Sequence, residues 1–234
     1  MTAATVLAMP SPAHFTKPAQ RPTVLVTGFE PFGGECINPA WEVARTLNGS
    51  CIDGVPIIGE QLPCTFDGAV PTLQKLLRRH KPCLVLALGL AGNRSAISLE
   101  RVAINWMDAR IPDNAGAQPT DLPVKDGGPA AYFTRLPIKS LARLLHVQGL
   151  PAEVSASAGS FVCNQVFYGL MAALRRRPAV LAGFIHLPPL PEQGMLHPPS
   201  STLPLTEQVR ALQLMIQAML SGLDETPTVG GSLS

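Results

Sequence analysis

Three residues in separate segments of this chain have the types needed for thiol-based acyl transfer. Cys163 stands in Ser160-Phe-Val-Cys-Asn164, where a small-residue turn gives way to a strongly helical run. His186 stands in Gly183-Phe-Ile-His-Leu-Pro188, and Glu100 in Glu100-Arg-Val-Ala-Ile-Asn105. The first turn of a helix has free N–H groups and a partial positive charge. A thiol placed there is expected to lose its proton more easily, and the thiolate is the nucleophilic form. An imidazole takes the proton, and an acid orients the imidazole. The competing reading is the ordinary fate of a free cysteine, a small buried hydrophobe.

The elements that must position these groups follow from periodicity and breakers. Thr23–Thr27 is a β-branched run ended by Gly28, the pattern of a buried strand. Asn38 caps a helix that begins at Pro39 and runs to about Leu47. Val55–Leu62 and Cys83–Leu88 read as strands, with a helix over Phe66–His80 between them. Ser95–Asn105 looks extended, and Asp113–Gly128 is a long polar loop. A helix from Pro137 to His146, a strand at Glu153–Ser157, the Cys163 helix to Arg177 and a strand at Val180–Ile185 follow. A proline-rich loop over Pro188–Pro204 precedes a last amphipathic helix, Leu205–Leu220.

Strands and helices alternate, which predicts a three-layer α/β/α sandwich around a central mixed, largely parallel sheet. In such sheets sites gather at the carboxyl edge of the strands. Cys163 follows one strand and His186 closes another, so both are expected at that edge. The position of Glu100 does not follow from the sequence.

Composition narrows the class. The chain has 234 residues, 46% hydrophobic and 15% charged, enough for one large core. Residues 1–22 are expected to be a flexible extension, 23–222 a single α/β domain and 223–234 a flexible tail. The net charge is +2, and Arg175-Arg176-Arg177 reads as a solvated helix end, so no nucleic-acid partner is expected. No apolar run is long enough to span a bilayer. The five cysteines show no metal-ligand spacing. No metal or cofactor is expected, and a reduced cytoplasmic setting fits best.

Four segments, taken together, resemble the signature segments of the pyrrolidone-carboxylate (pyroglutamyl) peptidases. They are Thr27-Gly-Phe-Glu-Pro-Phe-Gly-Gly34, Glu100–Asn105, Ser160–Asn164 and Gly183–Pro188. The resemblance covers roughly residues 22 to 222. It implies a cysteine exopeptidase that removes N-terminal pyroglutamate from peptides without a cofactor, through a Cys–His–Glu triad. The matching positions are Cys163, His186 and Glu100. The resemblance also implies a homo-oligomer, tetramer or dimer.

Pyroglutamate is a compact neutral ring with no free α-amine, so its pocket should be apolar with few polar groups. Phe29, Phe32, Phe161 and Val162 match the family's pocket-forming segments, and Ile111 is a weaker addition; core packing is the competing reading for each. One oxyanion donor would be the Cys163 backbone N–H at the helix start; the resemblance adds, more weakly, Arg110, matching the arginine that follows the Glu-Arg-Val-Ala-Ile-Asn segment in the family, for which a structural salt bridge competes. Gly89-Leu-Ala-Gly92 departs from the family's usual Gly-Gln-Ala-Gly. Leu90 thus removes a polar side chain near the expected pocket, and it favours one rival reading, a weak or inactive homologue that acts as a binding protein. A second rival, a nucleoside phosphorylase-like enzyme, needs a phosphate cradle. The Gly28–Gly34 loop has neither the P-loop lysine nor dinucleotide spacing.

Overall fold

The strands closest to the site are buried along almost their whole length because both of their faces are covered. In the computed structural model, which describes residues 22–227, β4 (Leu84–Leu90) is buried at all seven positions. It lies in a seven-stranded sheet with β1 (Val24–Phe29), β2 (Cys51–Ile52), β3 (Val55–Leu62), β5 (Ile97–Glu100), β8 (Ala152–Ser155) and β9 (Leu181–Leu187). The strand order is β2-β3-β1-β4-β9-β5-β8. A separate pair is formed by β6 (Val102–Ile104) and β7 (Ala131–Phe133). Residues 1–21 and 228–234, most of the expected extension and tail, lie outside the described residues.

Alternate residues of each strand feed two cores. On one face Val24, Val26, Leu84, Leu86, Leu88, Ile185 and Leu187 pack with α1 (Pro39–Leu47), α3 (Ile138–Val147) and α5 (Leu205–Leu220). On the other, Leu25, Phe29, Val85, Ala87 and Phe184 pack with α2 (Ala69–His80) and α4 (Val162–Leu174). This is a three-layer α/β/α sandwich. Ala211, Leu212, Met215, Ile216 and Met219 give α5 a buried stripe at helical spacing. Each fully buried large apolar side chain there contributes about 1.5–3 kcal/mol relative to exposure.

Local chemistry sets the start of α1. Asn38 Oδ1 accepts from Ala40 N at 3.0 Å, while its amide donates to Glu30 O at 3.1 Å. Gly28 lets that helix approach the sheet, because a Cβ there would lie 2.2 Å from the Ala40 carbonyl oxygen.

The sheet is mixed for a topological reason. β1, β3, β4 and β9 run parallel, whereas β5 is antiparallel to β9 and carries β8 with it. Only residues 91–96 join β4 to β5. A segment that short cannot hold the crossover helix that a parallel return requires, so β5 runs back down the sheet. The described part of the C-terminal tail is docked: Thr226 N donates to Ser140 Oγ at 2.9 Å, and Glu225 Oε2 accepts from Lys139 N at 3.1 Å.

Candidate active site

Side-chain alternation puts two of the three reactive groups, His186 and Glu100, on one face of the sheet. His186 is two residues from Phe184 on β9, so it shares the α2/α4 face. Its ring centroid lies 5.0 Å from that of Phe184. Ser98 is registered with His186 across the β5–β9 pair, and Glu100 is two residues beyond Ser98 on the same face. His186 Nδ1 and Glu100 Oε1 are 2.7 Å apart in a hydrogen bond between buried groups. With Nδ1 engaged, Nε2 is the nitrogen left for other chemistry.

Cys163 reaches the same face from above. Gly89 is registered with His186 across β4–β9, and a Cβ on Gly89 would lie 3.0 Å from Cys163 Sγ. The missing side chain at Gly89 is therefore the space that the sulfur overhangs. Cys163 is the second residue of α4, so its backbone N–H precedes the helical ladder and faces no helical acceptor. No direct hydrogen bond joins Sγ to His186 among the described residues.

Two expectations need correction. The first concerns the route by which Cys163 meets His186. β8 runs opposite to β9, so the strand before the nucleophile does not end at the edge where β9 ends. The pairing comes instead from residues 156–161, which carry the chain back to the start of α4. Ser160 Oγ donates to Asp108 O at 2.7 Å, and Asp108 N donates to Ser160 O at 3.1 Å, fixing this turn. The second concerns ionisation. Helix placement was expected to lower the thiol, but burial pushes Cys163 up, with the charges of Cys64 and Glu100 adding to it. Its own backbone N–H and Arg94 pull the other way without winning.

The expected pocket residues divide. Phe29 and Val162 are 1% and 0% exposed and belong to the core. Phe161 is half-buried and stands immediately before α4, where it meets Phe32 at 6.2 Å and Phe66, edge-on, at 5.2 Å. Ile111 is exposed, and so is Arg110, which lies in a cleft of about 900 Å³ with Gly92, Asn93, Ser95 and His197. His197 is joined to Glu35 at 2.6 Å, and Leu90 is buried at the end of β4.

Some supporting residues were not singled out from the sequence. Arg94 Nη1 donates to Glu100 Oε1 at 2.7 Å. Asn164, fully buried, accepts from Ile104 N at 3.0 Å and donates to Ile104 O and Trp106 O at 2.9 Å each. Asp113 accepts from Phe66 N, Ala115 N and Ala117 N. Burial alone would raise its carboxyl, and these donors hold it below its ordinary value. Cys64 is buried in the same core as Cys163; desolvation, then Glu30 and Asp113, push its thiol up to about 12. A polar residue inside the apolar first turns of α4 was the signal available for Asn164, whereas an arginine in the β4–β5 connection offered none.

Thiol, imidazole and carboxylate on one face of an α/β sandwich make up the constellation of a cysteine-type hydrolase. A family model described as pyroglutamyl peptidase matches residues 22–221. The pyrrolidone-carboxylate peptidase of Cupriavidus taiwanensis is 50% identical over 214 residues, covering 91% of this chain and 99% of that protein. That of Klebsiella pneumoniae is 48% identical over 209 residues, 89% of this chain and 98% of its own. The crystal structure of pyroglutamyl peptidase I from Bacillus amyloliquefaciens superposes with a TM-score of 0.85 at 42% identity, covering 89% of this chain and all of that one. The chain belongs to the pyroglutamyl peptidase family.

Proposed function

We propose that this chain removes N-terminal pyroglutamate from peptides through an acyl-enzyme on Cys163. The observation that carries the residue roles is the buried His186–Glu100 hydrogen bond on the face that Cys163 Sγ overhangs. His186 Nε2, as the general base, takes the thiol proton as the sulfur attacks. The sulfur bonds to the pyroglutamyl carbonyl carbon, and the developing oxyanion faces the backbone N–H of Cys163. His186 then gives its proton to the leaving amine, and the C–N bond breaks. Water, deprotonated by His186, cleaves the thioester and releases pyroglutamate. Glu100 fixes the imidazole tautomer and stabilises its cationic form.

The substrate ring is neutral and compact, which suits the aromatic cluster of Phe32, Phe66 and Phe161 ahead of α4. The five free cysteines suit a reducing cytoplasm. A homo-oligomer is carried over from the resemblance alone. No described helix is long and apolar enough to cross a membrane.

The test is hydrolysis of a pyroglutamyl-linked fluorogenic amide. The wild type should turn it over and leave the corresponding amide of an unblocked amino acid intact. Cys163→Ala and His186→Ala should each lose on the order of 10⁴-fold or more in kcat. Turnover by Cys163→Ala close to wild type would remove the sulfur from the mechanism.

A further inference from the structure

Glu100 raises a physical problem that the triad alone leaves open. Its side chain is 0% exposed. A carboxylate moved into such a place without a cation is strongly disfavoured. A neutral imidazole does not supply that cation. Arg94 does: its Nη1 lies 2.7 Å from Glu100 Oε1, the same oxygen that meets His186 Nδ1. The other oxygen, Oε2, is buried and has no hydrogen-bond partner among the described residues. Arg94 and His186 are therefore the two groups that fix how this carboxylate is turned.

The guanidinium has a second contact. Arg94 Nη2 donates to Ser157 O at 3.2 Å. Ser157 belongs to the segment between β8 and α4, the one that carries the chain round to Cys163. Arg94 itself lies in the short connection between β4 and β5, whose length sets the direction of the strand bearing Glu100. One planar fork thus joins the acid to the segment that presents the thiol. A lysine, with a single nitrogen, does not reproduce that two-pronged geometry.

We infer that Arg94 is the positioning residue of this site, holding Glu100 against His186 and tying it to the turn that delivers Cys163. The inference rests on the reading proposed above. It adds a residue that acts through Glu100 and touches no substrate atom.

A pyroglutamyl amide assay on wild type, Cys163→Ala, Arg94→Met, Arg94→Lys, Glu100→Gln and the Arg94→Met/Glu100→Gln double variant tests it, with folding checked by thermal melting. Arg94→Met should lose on the order of 100-fold in kcat with little change in KM, as expected for a displaced catalytic group. Arg94→Lys should fall between wild type and Arg94→Met, and it carries the test if the methionine variant does not fold. Arg94 is about a quarter exposed, and its sequence neighbours Asn93 and Ser95 line the open cleft. Sub-denaturing guanidinium should therefore restore part of the Arg94→Met activity and none of that of Glu100→Gln. The double variant should be no slower than Glu100→Gln alone, because the arginine has then lost its object.

Full kcat in Arg94→Met or Arg94→Lys, beside an active wild type and an inactive Cys163→Ala, overturns the inference and leaves the proposed function standing. So does a double variant whose losses multiply. A folded wild type with no pyroglutamyl amide turnover overturns both.

Discussion

Two environments compete at the sulfur of Cys163. The start of α4 offers an orphan N–H, while the apolar face between α4 and the sheet withdraws water from the thiolate. Burial dominates, and the thiol is raised. A raised group has little thiolate at neutral pH, and that fraction grows tenfold per pH unit below the pKa. Inactivation by iodoacetamide should therefore keep accelerating from about pH 6 to about pH 9. Loss of activity is the readout, since the exposed Cys36 and Cys51 also take up reagent. A rate that levels off below neutral would instead reveal a preformed thiolate–imidazolium pair. Cys163 and His186 were readable as a candidate pair, from a helix start and a strand end, with a small buried hydrophobe as the competing reading of the thiol; Glu100 joined them through the family resemblance, because its position does not follow from the sequence. Arg94 was not readable, since an arginine in a short connection looks like any solvated loop residue until its partner is known.

The α4 N-terminus is held by a side chain one residue beyond the nucleophile. Asn164 satisfies Ile104 N, Ile104 O and Trp106 O from a fully buried position. Asn164→Ala leaves those backbone groups unpaired, and the expected cost is about 3 kcal/mol. Melting should fall by roughly 2–4 °C for each kcal/mol lost. Turnover should fall as well, because the helix that carries the sulfur loses its anchor to the β6 segment. Unchanged melting would show that water replaces the amide. The helices themselves were legible: α5 spans Leu205–Leu220 as its apolar spacing predicts, and α1 starts at Pro39 behind the Asn38 cap. The short strands β2 and β7 were not singled out, because two or three residues do not establish a period, and β6 was read only as part of the extended Ser95–Asn105 segment.

For the molecule as a whole, buried thiols make stability depend on alkaline pH. Cys64 is raised to about 12 in the folded state, above its ordinary value. Its protonated form is compatible with burial, so that contribution to stability is fully present below the unfolded thiol pKa, about 8.5. It is lost as pH rises toward 12, where the unfolded chain ionises first. Cys163 is raised as well and acts in the same direction. The melting temperature should fall steadily above about pH 9, and Cys64→Ala should flatten part of that fall. An identical slope in that variant would assign the alkaline loss to other groups.

By itself the sequence determined the two-sided α/β layering, since largely apolar strands alternating with amphipathic helices have few other ways to bury their surface. It also determined which thiol, imidazole and acid were chemically available. Tertiary structure decided how they meet. The six residues between β4 and β5 reverse the next strand, β8 follows it, and the rule of a shared carboxyl edge no longer links Cys163 to His186. Strand direction and register are properties of long-range pairing, and the local pattern is the same whichever way a strand runs.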